Sequence, residues 1–141
     1  MTKLSKHFHD YEFSCPCCGK NKVAGELVAK LQELRDIIGE PIFITSGYRC
    51  IVENKKVGGH SKSAHLLGKG VDIQVKGWLP MPFAHIASKI KGIRIGIYPE
   101  HIHIDIVKPH PSKYWLVRKY GQKPIYSGNE NNLVKFLKNN L

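Results

Sequence analysis

The stretch SKSAHLLGKGVDI (residues 61–73) sets His65 and Asp72 seven positions apart, with Asp72 between Val71 and Ile73 in an alternating apolar segment. A carboxylate inside a strand is costly unless something positive meets it. The candidates are a neighbouring arginine or lysine, or a metal ion shared with His65. Further along, HIHIDIV (101–107) has a period of two, so His101, His103 and Asp105 share one face and Ile102, Ile104 and Ile106 the other. A solvated strand would be served equally well by threonine, lysine or glutamate, and an isolated HxH pair is weak evidence of chemistry. Joined to His65 and Asp72, however, His103 completes a His/Asp/His set. Three protein ligands leave one open position on a tetrahedral zinc for water or substrate, which is the catalytic arrangement. Asp72, in its alternating strand, can face the same side of a sheet as His103, and the ion then meets its charge.

These residues need a scaffold. AGELVAKLQELRDIIGE sets Leu27, Val28, Leu31, Leu34, Ile37 and Ile38 on one helical stripe, with Gly39 as the stop and Pro41 just beyond. PIFITS (41–46) reads as a short strand, and GYRCIVENKKVGGHSKSA as a long irregular loop of the kind that lines a site. GVDIQV is a second strand and MPFAHIASKI a helix. GIRIGIY (92–98) and HIHIDIV form a hairpin across Pro99 and Glu100, KPHPSKYW is a proline-broken linker, and NNLVKFLKNN is a basic amphipathic helix. This order predicts an α+β domain with a small, mostly antiparallel sheet flanked by helices. Two parts are expected: a catalytic domain over residues 1–107 and a basic extension over 108–141. His60, His85 and His110 are assigned no role, and His7 and His9 lie too near the terminus to interpret.

A chain of 141 residues with 42% apolar residues suffices for one domain with a real core. No run approaches the roughly 18 apolar residues of a membrane span, and the polar start MTKLSKHFHDYEFSC lacks the apolar region of a secretory signal. Synthesis in the cytoplasm is therefore expected, with any action outside the cell following release by another route. Lys and Arg number 22 against 11 Asp and Glu. Such a surface suits an anionic partner, whether nucleic acid, an acidic wall polymer or a membrane face, or simply a well-solvated protein. Without a known nucleic-acid-binding motif or interleaved surface aromatics before residue 108, nucleic acid is not expected as a partner. The cysteines, Cys15, Cys17 and Cys18 in CPCCGK and the distant Cys50, form one cluster rather than the two separated pairs of an ordinary structural zinc site. They are read as small buried residues, with a Cys50 disulfide disfavoured in a reducing compartment.

The segments TSGYRC…N…VGGHSKSAHLLGKGVDI and GIYPEHIHIDI resemble the M15 family of zinc peptidases. That family comprises D-alanyl-D-alanine carboxypeptidases and peptidoglycan endopeptidases, phage endolysins among them. EFSCPCCGKN and LVAKLQELRDIIGEPIFITSGYR are similar to its small single-domain branch, and the resemblance spans roughly residues 8–107. It implies a hedgehog/DD-peptidase-like fold, a monomer, one zinc per chain on His65, Asp72 and His103, and peptidoglycan stem peptides as substrate. It sets Arg49 on the arginine that holds a substrate carboxylate and Ser63 on the serine preceding the first ligand. For the general base it offers two positions, Glu100 and His101. Strand geometry points His101 toward the metal, whereas Glu100 reaches it only if the turn at Pro99 bends inward. A carboxylate is the commoner base, so Glu100 is preferred, with His101 stabilising the developing oxyanion. Asp105 is expected to orient a histidine from behind. The reaction implied is hydrolysis of D-Ala-D-Ala or L-Ala-D-Glu, with a slight preference for the endopeptidase cut of a phage-type lytic enzyme. A catalytically inactive wall-binding module of the same fold is the alternative.

Overall fold

The apolar stripe of residues 25–38 does form a helix, because its leucines and valine recur at helical spacing and meet a common core. The computed structural model describes residues 2–108 and 112–141. In it, α1 (Gly25–Ile38) buries Leu27, Val28, Leu31 and Leu34 and ends at Gly39, whose φ of 71° closes the last turn in the left-handed region. Ile38 packs at the edge of the core, whereas Ile37, expected on the same stripe, is 49% exposed. It lies at the edge of the buried arc.

The remaining elements are β1 (Phe43–Ser46), α2 (Ile51–Lys56), a 3-10 turn at Ala64–Leu67, β2 (Gly70–Gln74), α3 (Pro80–Ala87), β3 (Arg94–Ile97), β4 (Ile102–Asp105), β5 (Tyr114–Leu116), β6 (Ile125–Tyr126) and α4 (Leu133–Asn140). The six strands form one sheet in the order β1-β2-β4-β3-β5-β6. Every pairing is antiparallel except β3 with β5. The class is therefore α+β, with a mixed sheet.

Alternation gives this sheet two chemically distinct faces. Val71 and Ile73 of β2, Ile95 and Ile97 of β3, and Ile102 and Ile104 of β4 join the core with Leu27, Leu31 and Leu34 of α1 and Phe83, Ala84 and Ala87 of α3. Burying each such side chain stabilises the fold by about 1.5–3 kcal/mol. The opposite pleats carry Gly70, Asp72, Arg94, Gly96, His103 and Asp105, which the strand register pairs across β2, β4 and β3. The apolar face holds the sheet against the helices, and the polar face is left to carry chemistry.

Two segments depart from the sequence reading. The loop after β1 contains α2, six residues capped by the Cys50 side chain, which accepts a hydrogen bond from Glu53 N. The stretch read as a proline-broken linker yields, at Tyr114–Leu116, a wholly buried strand that pairs in parallel with β3. The basic C-terminal part thus continues the same sheet through β5 and β6, and Phe136 of α4 stacks near Tyr114, ring centroids 6.5 Å apart. A three-residue strand has too little periodicity to announce itself, and it forms by pairing with β3 on one side and β6 on the other. His110 lies outside the described residues. No helix among the described residues is long and apolar enough to cross a membrane.

Candidate active site

The antiparallel register of β2 and β4 sets Asp72 directly opposite His103. His65 arrives from the 3-10 turn, where Ser63 Oγ caps the element by accepting from His65 N at 3.2 Å. Its Nδ1 stands 2.7 Å from Gly47 O. A carbonyl can only accept, so Nδ1 carries the proton and Nε2 is the atom turned to Asp72 Oδ1, 3.2 Å away. His103 is held by the mirror of this logic. Its Nε2 lies 2.8 Å from Asp105 Oδ2, and its Nδ1 lies 3.0 Å from the same Asp72 Oδ1.

One donor atom from each of His65, Asp72 and His103 lies within 4.8 Å of the others, and all three residues are buried. Bonds of 2.0–2.1 Å in a tetrahedral zinc site put neighbouring ligand atoms about 3.3 Å apart, close to the separations found here. Each histidine also has its far nitrogen fixed by an oxygen acceptor, the usual support of a metal-ligating imidazole. The donor set fits a divalent cation such as zinc.

The electrostatics agree. Burial opposes charge on Asp72, but hydrogen bonds from His103 and His65 outweigh it and hold the carboxyl far below the ordinary carboxylate range. Burial likewise opposes a charged His103, yet Asp105 and Asp72 on either side push it up to about 9. Burial dominates at His65 and His101, and lowers both. The centre of the site therefore favours positive charge, which a metal ion would supply.

Asp105 is fully buried and gripped by a fork from Arg94, Nε at 2.8 Å and Nη2 at 2.7 Å. The Arg94 guanidinium lies over the Trp115 ring at 4.8 Å, and that ring packs on His103 with centroids 5.3 Å apart. Gly96 makes room: a Cβ there would collide with the Trp115 indole. Asp105 Oδ2 thus sits against His103 Nε2, on the side of the ring away from Asp72. Asp105→Asn should weaken metal binding roughly 10–100-fold, the usual cost of removing such a partner, as read by competition with a chelator. Unchanged affinity would remove Asp105 from this role.

Arg49 also meets Asp72. Its Nη2 is 3.2 Å from Asp72 Oδ2, Nε donates to Ser46 Oγ at 3.0 Å and Nη1 donates to Asn54 Oδ1 at 3.3 Å. Both positive partners considered for Asp72 thus converge on it, an arginine at Oδ2 and a candidate metal position at Oδ1. His101 lies just before β4 with Nε2 3.7 Å from Asp72 Oδ2 and Nδ1 3.0 Å from Tyr120 Oη. It stacks on Tyr98 with centroids 4.6 Å apart. Glu100 is exposed on the hairpin turn, and among the described residues no hydrogen bond ties its side chain to the site. His60 and His85 are exposed, and His60 meets the site only through its carbonyl, which accepts from Asn54 Nδ2 at 2.9 Å.

The family model described as peptidase M15 matches residues 6–105. The chain belongs to the peptidase M15 family. Membership makes it a peptidase by family, and with the His65/Asp72/His103 cluster supports a metallopeptidase. No curated protein matches the chain. The match ends at Asp105, so β5, whose Trp115 packs on His103, lies beyond it.

Several supporting groups escaped the sequence reading: Arg94, Trp115, Tyr98, Tyr120, and the Ser46 and Asn54 that hold Arg49. Arg94 had a usable signal. A two-residue turn at Pro99 and Glu100 pairs Arg94 with Asp105 by register alone, as observed. Tyr98 had the same signal, since that turn sets it opposite His101, whereas Trp115 and Tyr120 had none, because they come from the segment read as linker and extension.

Proposed function

We propose that this chain is a zinc-dependent peptidoglycan peptidase of hedgehog/DD-peptidase-like fold, cutting a stem-peptide bond next to a free carboxylate. The observation that carries the reading is the convergence of His65, His103 and Arg49 on the carboxylate of Asp72. It brings an arginine beside a three-donor candidate cation site, which supports a role for Arg49 as a carboxylate clamp. Zinc, when bound, polarises a scissile carbonyl and lowers the pKa of water.

The other tasks fall to the chain. The three contacts of Arg49 use three of its five N–H donors. Two remain, the number needed for a bidentate grip on a carboxylate. Two wall bonds offer one: the terminal D-Ala-D-Ala, and L-Ala-D-Glu, whose γ-linked glutamate keeps its α-carboxylate free. His101 is the better-placed proton carrier. If Nδ1 donates to Tyr120 Oη, the lone pair of Nε2 faces the site, ready to take a proton from attacking water and return it to the leaving amine. Glu100 would need the turn to fold inward to do the same. Ser63 positions His65 and lies beside the path of the substrate. The basic surface, net charge +11, suits attraction to anionic wall polymers after release from the cell.

Digestion of stem peptides followed by mass spectrometry tests the reading. Loss of a terminal alanine means a carboxypeptidase, and release of peptides beginning at D-Glu an endopeptidase. Intact peptides with zinc fully loaded would leave the inactive wall-binding module. Arg49→Ala should lower kcat/KM roughly 10- to 150-fold, the equivalent of the about 1.5–3 kcal/mol of a charged hydrogen bond. Arg49→Lys should recover only part, because a point charge cannot reproduce the fork. Full activity in Arg49→Ala would refute the clamp.

A further inference from the structure

The cysteines do not behave as the small buried residues expected from their sequence. Cys15 is buried, Cys50 is half-buried, and Cys17 and Cys18 are exposed. Although Cys50 is 35 positions from Cys15, the Sγ atoms of Cys15, Cys18 and Cys50 all lie within 4.8 Å of one another. The Cys15 and Cys50 sulfurs are 3.7 Å apart. A disulfide requires about 2.05 Å. Thiolates sharing a tetrahedral zinc with Zn–S bonds of 2.3 Å stand about 3.8 Å apart.

The local backbone suits the same ion. Cys15 and Cys18 have the C-x2-C spacing of structural zinc sites. They sit on a turn closed by Gly19 N donating to Cys15 O and Cys15 N donating to Lys20 O, both 2.8 Å, with Gly19 at φ 73°. Two further backbone amides point at sulfur: Cys50 N at Cys15 Sγ (3.4 Å) and Glu53 N at Cys50 Sγ (3.5 Å). Amide donors aimed at sulfur favour thiolates over thiols. Without an ion the Cys17 thiol is pushed above its ordinary value, first by Cys50 and further by the negative charge of Cys15 and Glu53.

We propose that Cys15, Cys18 and Cys50 hold a second, structural zinc ion, with Cys17 of the same turn as its fourth donor. The thiols release their protons to solvent as the ion binds. The ion clips the N-terminal turn to the chain directly after Arg49. It thereby steadies the arm that carries the guanidinium, together with the hydrogen bond from Tyr48 N to Phe13 O at 2.9 Å. The site is independent of whether the other zinc supports peptidoglycan hydrolysis.

Elemental analysis of the full chain, purified with reductant and zinc, should find two ions in the wild type and one in Cys18→Ser. His65→Ala should also hold one, at the cysteines. Loaded with cobalt, His65→Ala should show the intense near-ultraviolet absorption of thiolate-to-metal charge transfer, and Cys18→Ser should lack it. In the wild type the thiols should resist a thiol-specific reagent until a chelator is added, a reading that needs no variant to fold. Zinc content unchanged in Cys18→Ser, no charge-transfer band in cobalt-loaded His65→Ala, four thiols reactive before chelation, or a Cys15–Cys50 disulfide on peptide mapping would each overturn the proposal.

Discussion

His65→Ala should lose one bound zinc ion per chain and fall to background peptidase activity. Among the described residues the candidate site offers three protein donors, of which this imidazole is one, and its Nε2 points at the Asp72 oxygen it shares with His103. Without it, two donors remain, and two donors do not make a tetrahedral catalytic site. The substitution also leaves Gly47 O without its partner and opens a small cavity in a buried position. Some loss of thermal stability should follow, and circular dichroism must show that the variant is folded before its zinc is counted. Asp72→Asn keeps the volume and removes the charge on which His65, His103, His101 and Arg49 all converge. It should reproduce the loss of metal. Undiminished zinc in both variants would place the catalytic ion elsewhere.

His101→Ala should keep its zinc and lose about 10²–10⁴-fold in kcat, the range of a positioned acid–base group. This separation of metal binding from turnover is the mark of a proton carrier. His101 approaches Asp72 only at Oδ2, 3.7 Å away, and leaves Oδ1 to the two candidate ligands. Its ring is fixed by Tyr98 on one face and by Tyr120 Oη at Nδ1. Tyr120→Phe should therefore lower kcat by less than the histidine change does. Glu100→Gln, on the exposed turn, should cost little. A large loss in Glu100→Gln beside a small one in His101→Ala would reverse the assignment. Such a result would mean that the hairpin turn folds inward on substrate binding.

The sequence by itself was most informative wherever a single element's periodicity carried the message. Strict alternation in HIHIDIV and GVDIQV determined that His103, Asp105 and Asp72 leave the isoleucine face, since a strand's side chains have no other choice. Helical spacing determined the α1 stripe, apart from Ile37 at its margin, because 3.6-residue periodicity leaves the edge of a buried arc undecided. The two-residue turn even contained the Arg94–Asp105 pairing. The tertiary structure decided what depends on chain path. It brought Arg49 to Asp72 Oδ2 and Gly47 O to His65 Nδ1, across loops whose course no local pattern encodes. It added Tyr114–Leu116 to the sheet, where a three-residue strand is held between β3 and β6. It also gathered Cys15, Cys18 and Cys50, whose meeting depends on where α2 begins against the N-terminal turn. Local periodicity is a property of the backbone and can be read from residue types alone. Convergence of side chains from distant segments is set by how loops close over a packed core, and only the folded chain contains it.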